Sequence, residues 1–318
     1  MEPIDRPFTD HPHDWDVLVI GRSFAGLSAA LTLGRARRSV LVVGAGGPRN
    51  ESVAHAHGLL TRDHEDPNEL VRLAEEQLGR YPTIQLLEGR VTDLATTPGE
   101  PGFRATFDGQ ATTARLVVLA TGANDDPPAI PGLADHWGRG VYTCPFCDGW
   151  EHQEQPLAVV GDPAWVPHLA GMLRSGWTER VTAFATLPVE AAEALAAQGV
   201  AVDAREIARL EGDGDHVSAV VLADGERVEV GAVFCAAMPR ANAQLAVSLG
   251  ADVDEFGFLV TDEQRATTVP GLYAVGDVRT RMHQMALAIA DGLTAGAMAT
   301  AALIAAGVPP RRTHPSNS

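Results

Sequence analysis

The 318-residue chain contains no lysine; all 24 of its basic residues are arginine. That absence excludes Schiff-base catalysis, a Walker-type phosphate lysine and a serine–lysine hydrolase. Cysteine is scarce too, with 3 in the chain, too few for a disulfide scaffold. Positive charge is short: 24 basic against 41 acidic residues leave a formal net charge of −17, which speaks against nucleic acid as a partner. Long apolar runs are nearly missing. The only membrane-length stretch, Met285 to Val308, carries Asp291 and is mostly Ala and Gly, so it reads as a buried helix. The start of the chain, Met1 to Trp15, is acidic and proline-broken, with neither the basic flank nor the apolar core of a secretory signal. A cytoplasmic protein is expected.

What is present is an ordinary globular composition, 45% apolar, at a length that suggests two domains. The apolar run Asp16–Ile20, the turn Gly21-Arg22-Ser23-Phe24-Ala25-Gly26, a helical stretch Leu27–Leu33 and a second run Val40–Val43 form a strand–helix–strand unit. Helical spacing follows at Asn68–Leu78, then strand-like runs at Thr83–Leu87, Phe103–Phe107 and Leu116–Ala120. A Pro-rich linker over Gly122–Gly132 leads into a second such unit: strand Leu157–Val160, helix Trp165–Leu173, strand Val181–Phe184 and helix Glu190–Ala197. Strand-like alternation fills Ala201–Phe234, with turns expected at Gly212-Asp213-Gly214 and Asp224-Gly225. After a return linker at Pro239-Arg240 come a strand at Leu272–Val275, Gly276-Asp277 and the Ala-rich helix. The fold class is therefore α/β, with two Rossmann-like domains of the three-layer ββα kind, the second inserted in the first. The expected limits are a tail at 1–14, a discontinuous domain at 15–123 and 240–310, an inserted domain at 124–239, and a tail at 311–318.

The first turn is an altered G-x-G-x-x-G, with Gly21 and Gly26 in place and Ser23 at the middle position. Its amides and helix dipole still favour a pyrophosphate, and a serine hydroxyl can bond one. The acidic residue expected about 20 residues on, for an adenosine ribose, is replaced by Gly44. The second turn, Gly161-Asp162-Pro163-Ala164-Trp165-Val166, keeps one glycine, and Asp162 would repel phosphate. No arginine follows the next strand to take a 2′-phosphate, so NADPH binding there is doubtful. Cys144-Pro145-Phe146-Cys147-Asp148-Gly149 is the chemical centre: paired thiols can cycle through a disulfide, and Asp148 can move a proton. An inert reduced pair is the bland alternative. Zinc would need a second Cys or His pair, and His55 and His57 lie in another segment, so no metal is expected. Cys235 reads as a core residue, His55 to Gly58 as a solvated loop or a functional one with equal weight, and the acidic Asp63, Glu65 and Asp66 as a helix start. His11 and His13 carry no reading.

The glycine turn at Gly21, Ala120-Thr121-Gly122, the Cys144 and Cys147 pair, Pro270-Gly271-Leu272-Tyr273-Ala274 and Gly276-Asp277 occur in this order. Together they resemble the low-molecular-weight thioredoxin reductase family over nearly the whole chain. The resemblance implies an outer domain holding FAD and an inserted NAD(P)-binding-like domain carrying the redox pair. It implies FAD contacts at Gly21, Ser23, Phe24, Ala25, Gly26, Asn50, His57, Val91, Thr121, Gly122, Gly276, Asp277, Gln284 and Met285. Cys147 is then the flavin-proximal thiol, Cys144 the one that exchanges with substrate, and Asp148 the acid–base carboxylate. A homodimer follows from the resemblance alone. The first turn, the segment from His55 to Asp63 and Trp150-Glu151 look more like a branch that includes flavin-dependent dithiol oxidases. Those enzymes close disulfides in small natural products such as gliotoxin and holomycin and pass electrons to dioxygen. Several of that branch carry His after the second Cys, where this chain has Asp148 as ordinary thioredoxin reductases do. Three functions remain open: a dithiol oxidase using O2 and releasing H2O2, an NADPH-dependent disulfide reductase, and a flavin-poor sensing or binding relative.

Overall fold

The computed structural model describes residues 13–99, 101–214 and 216–311. The described residues divide into two compact units: those within 13–49, 68–124 and 240–311 form one, and those within 50–67 and 125–239 the other.

In the first unit, β1 (Trp15–Ile20), α1 (Phe24–Arg35), β2 (Val40–Gly44), α2 (Pro67–Leu78) and β3 (Ile84–Glu88) run in alternation. A meander follows: β4 (Val91–Thr96), β5 (Phe103–Phe107) and β6 (Gln110–Leu119), then a short β7 (Ala123–Asn124). The sheet order is β3-β2-β1-β6-β5-β4; β1, β2, β3 and β6 pair in parallel, whereas β4, β5 and β6 pair antiparallel. β1 is buried along its whole length, as an apolar strand covered on both faces must be. The strand β4 had no sequence signal; it exposes every residue but Leu94 and the half-buried Val91.

The second unit contributes β8 (Val141–Tyr142), α3 (Pro145–Asp148), β9 (Leu157–Gly161), α4 (Val166–Gly176), β10 (Val181–Phe184), α5 (Val189–Ala197) and β11 (Ala201–Asp203). After these come β12 (Ile207–Asp213), β13 (His216–Leu222), β14 (Arg227–Glu229) and β15 (Ala232–Ala236). A five-stranded parallel sheet runs β11-β10-β9-β15-β8, beside a three-stranded antiparallel β12-β13-β14. The expected turn at Gly212-Asp213-Gly214 is present but starts later: Gly212 and Asp213 still belong to β12, Gly214 is in the turn, and Asp213 pairs antiparallel with His216 of β13. Gly212 is needed there because a Cβ would lie 1.9 Å from the His216 carbonyl oxygen.

The chain then re-enters the first unit through β16 (Arg240–Ala241), paired antiparallel to β7, and α6 (Gln244–Val247). β17 (Leu272–Ala274) pairs in parallel with β6, and α7 (Met285–Ala305) closes the chain's regular structure. α7 is long and apolar enough to cross a membrane, yet it is a core helix packed on α1. Its buried face is Ala288, Asp291, Gly292, Ala295, Gly296, Ala299 and Leu303. Asp291, 4% exposed, accepts from Arg265 at 2.7 Å, Arg279 at 2.9 Å and the Gly276 N–H at 3.1 Å. A buried carboxylate with three such donors is satisfied in place.

Three expected limits shift. Asn50–Pro67 groups with the second unit, although sequence order alone put it in the first. His13 is buried against the Pro101 carbonyl at 2.9 Å, and Asp14 Oδ2 accepts the Thr113 N–H at 2.9 Å, so neither belongs to a tail. At the other end Arg311, 5% exposed, pairs with the fully buried Asp16 at 3.0 Å. The remainder of both expected tails, His11 included, lies outside the described residues.

Candidate active site

Two groups of candidate residues stand out, one in each unit. In the first, Gly21 takes φ +122° and Gly26 follows so closely that a Cβ on it would lie 2.0 Å from the Gly21 carbonyl oxygen. Ser23 occupies the N-cap of α1 in extended conformation without using its hydroxyl as a cap. The first N–H returned to this turn is that of Leu27, to the Ser23 carbonyl at 2.9 Å. The N–H groups of Phe24, Ala25 and Gly26 stand ahead of it, as the first amides of a helix do, aimed at an external acceptor. Amides, hydroxyl and a side-chain-free approach together suit a pyrophosphate, so these residues fit FAD.

The Gly276-Asp277 motif is brought to the same place: a Cβ on Gly276 would lie 2.9 Å from the Ala25 Cβ. Asp277 accepts from Arg49 at 3.0 Å, and Arg49 also reaches His283 Nδ1 at 2.6 Å, directly before Gln284 and Met285 at the start of α7. Arg49 and His283 were not singled out from the sequence; they meet Asp277 only because the chain returns after the inserted unit. Thr121 has a different task. Its hydroxyl donates to the Asn242 carbonyl at 2.7 Å and Asn242 returns a bond to the Thr121 carbonyl at 2.9 Å, tying the two crossings between units. Gly122, at φ +67°, accepts the Asn242 N–H at 3.0 Å. Gly44 has a steric reason as well, since a Cβ there would lie 2.5 Å from the Arg22 nitrogen. Arg22 in turn is held by Glu75. Val91 begins β4.

In the second unit Cys144 and Cys147 form a disulfide, with Cα atoms 5.3 Å apart across α3. Pro145 at the start of α3 presets the helical turn that brings them together. Asp148 ends that turn. Burial first, and then the nearby Glu151, push its carboxyl up to about 7. A carboxyl that exchanges its proton near neutrality suits thiol–disulfide chemistry. His57, assigned from the resemblance to the cofactor, lies in this unit with Asn50; its Nε2 is 3.5 Å from Glu151 and its Nδ1 3.7 Å from Asp63. His55 stacks on His64 at 3.9 Å, so the histidine segment is an organised loop. Cys235 is buried in the core, where loss of water pushes its thiol up to about 12 and leaves it inert.

The second glycine turn is self-contained. Asp162 Oδ1 accepts the Ala164 N–H at 2.9 Å, and the Asp162 carbonyl takes those of Trp165 and Val166 at 2.9 and 3.0 Å. Pro167 has no N–H to offer. The donors that face outward in the first turn are consumed here.

A family model for pyridine nucleotide-disulphide oxidoreductases matches residues 15–292. The chain is 30% identical to thioredoxin reductase aclD of Aspergillus oryzae over 87% of its length and 93% of that protein. A 39% match to a "Probable thioredoxin reductase" of Arthroderma benhamiae spans half of this chain and 40% of that protein. Among solved structures, HlmI superposes with a TM-score of 0.89 at 33% identity, covering 95% of this chain and 96% of that one. An oxidoreductase from Agrobacterium tumefaciens gives 0.83 at 37% identity, covering 91% and 98%.

Proposed function

The chain belongs to the pyridine nucleotide-disulphide oxidoreductase family as a flavoenzyme of the thioredoxin reductase kind, and on that premise we propose that it oxidises a small-molecule dithiol with dioxygen as acceptor. The observation that carries this reading is the unequal state of the two helix-starting turns. The Gly21–Gly26 turn offers free donors, while the Gly161–Val166 turn spends its own on Asp162. A chain with one turn fit for a flavin and a nicotinamide-type turn whose donors are spent favours electrons entering from a thiol rather than from NADPH.

A substrate thiol gives its proton to Asp148 and the thiolate attacks Cys144 Sγ. The Cys144–Cys147 bond breaks, and its electron pair leaves on Cys147, which takes the proton back from Asp148. The second substrate thiol then attacks the substrate sulfur joined to Cys144, expelling Cys144 as a thiolate that receives the second proton. The product is a disulfide, and two electrons and two protons now reside on the cysteine pair. Asp148 is suited to both transfers because its carboxyl changes state near pH 7. FAD, which the Gly21–Gly26 turn and Asp277 would hold, would supply the two-electron acceptor for the reduced pair and the route from there to O2, with H2O2 as product. A cytoplasmic homodimer completes the reading, and sedimentation of the purified chain tests the dimer.

The test is oxygen uptake by the flavin-loaded chain with dithiothreitol and no NADPH. Peroxide formed in step with oxygen consumed is expected; no uptake with FAD bound overturns the reading. Asp148, which ordinary thioredoxin reductases also carry, supports a second reading as an NADPH-dependent disulfide reductase. Rapid anaerobic bleaching of the flavin by NADPH distinguishes it.

A further inference from the structure

Two large aromatic side chains next to the redox cysteines in sequence stand in water. Phe146, between the two cysteines, and Trp150, three residues beyond Cys147, are each 71% exposed. An aromatic side chain left in water forgoes the burial of roughly 150–250 Å². Phe146 is not loose. Its ring meets Trp177 edge to face, with centroids 5.4 Å apart and planes at 82°. Trp177 can approach because position 149 has no side chain; a Cβ on Gly149 would lie 2.7 Å from Trp177 Nε1. The turn is thus built to hold an aromatic surface beside the disulfide.

Charge narrows the occupant. No arginine occurs between Arg139 and Arg174, so the segment bearing the thiols has no guanidinium of its own. Arg180, which reaches this segment, donates to the Glu154 carbonyl. Asp148 and Glu151 are the charged groups on the turn itself, and the whole chain carries −17. An anionic thiol meets no counter-charge from the thiol-bearing segment, whereas a flat uncharged ring meets two of its own kind.

Resting on the dithiol reading above, we propose that Phe146 and Trp150 form the recognition surface for the substrate's carbon skeleton, which is aromatic or planar and carries no negative charge. The two residues act on selectivity, not on the exchange itself. Trp177 positions Phe146.

The reductive half-reaction tests this without depending on the electron acceptor. The flavin-loaded chain is mixed anaerobically with 1,2-benzenedimethanethiol, dithiothreitol or dihydrolipoate, and the rate of flavin bleaching is followed against concentration. The native chain is expected to favour the aromatic dithiol, with the anionic dihydrolipoate disfavoured. F146A and W150A should each lower the ratio of aromatic to dithiothreitol rate constants about three- to tenfold, the size of one lost aromatic contact. W150F should keep most of the native ratio. Taking each variant's ratio against the native one cancels the intrinsic reactivity of the thiols. Both side chains are exposed, so the variants should fold and hold flavin as the native chain does. An unchanged ratio in both alanine variants, or a preference for dihydrolipoate, overturns the proposal while leaving the dithiol reading intact. Failure of all three dithiols to bleach the flavin removes both.

Discussion

Asp148 shows how one residue's surroundings convert a common carboxylate into an acid–base group. Its folded-state proton affinity exceeds that of the unfolded chain, because burial penalises the charged form and Glu151 adds like charge. As pH rises from about 4 toward 7, the unfolded chain releases this proton first, so the folded state loses stability over that window. Asp148→Asn should therefore melt with the native chain at pH 4 and above it at pH 8. Turnover should fall by ~10²-fold or more and lose its ionisation near pH 7, as removal of a general acid–base group does. A variant with an unchanged pH–rate profile would separate Asp148 from proton transfer. Cys144→Ser and Cys147→Ser should each abolish dithiol turnover while retaining bound flavin, read from the visible spectrum. The cysteines and Asp148 were legible from spacing alone. The pairing of His57 with Glu151 was not, since it depends on segment 50–67 reaching the thiol turn from far along the chain.

At the scale of elements, the Gly21–Gly26 turn depends on how closely α7 lies against α1. A Cβ on Gly292 would lie 2.1 Å from the Ala25 carbonyl, and one on Gly296 2.8 Å from the Thr32 Cβ. The helices touch through backbone, so α1 is held from behind while its first amides face outward. Gly292→Ala should push the helices apart, at a cost of about 1–3 kcal/mol for overpacking. The expected result is a lower melting temperature and a smaller fraction of chains purified with flavin. Full flavin occupancy in that variant would show that the turn does not need this contact. The alternation of strand and helix announced these elements, whereas β4 carries no such signal because its residues are mostly exposed and its apolar and polar types do not alternate. Asp291 looked like an interruption in an apolar helix; only its two arginine partners explain it.

For the molecule as a whole, two nucleotide-type turns occur in one chain and only one retains outward donors. Binding to the folded state raises its stability in proportion to the logarithm of ligand over dissociation constant. Excess FAD added to flavin-stripped chain should thus raise its melting temperature by several degrees, and NADPH should leave it unmoved. A comparable shift with NADPH would count for the reductase reading and against the oxidase. The order of motifs along the sequence determined the family, the two parallel-sheet units and the Cys144–Cys147 pair, because each depends on residues close together in the chain. Tertiary structure alone decided that segment 50–67 joins the thiol-bearing unit, that Arg49 and His283 meet Asp277, and that Asp162 closes the second turn upon itself. These outcomes depend on distant segments meeting or on which acceptor an amide finds, and a linear pattern of residue types carries neither.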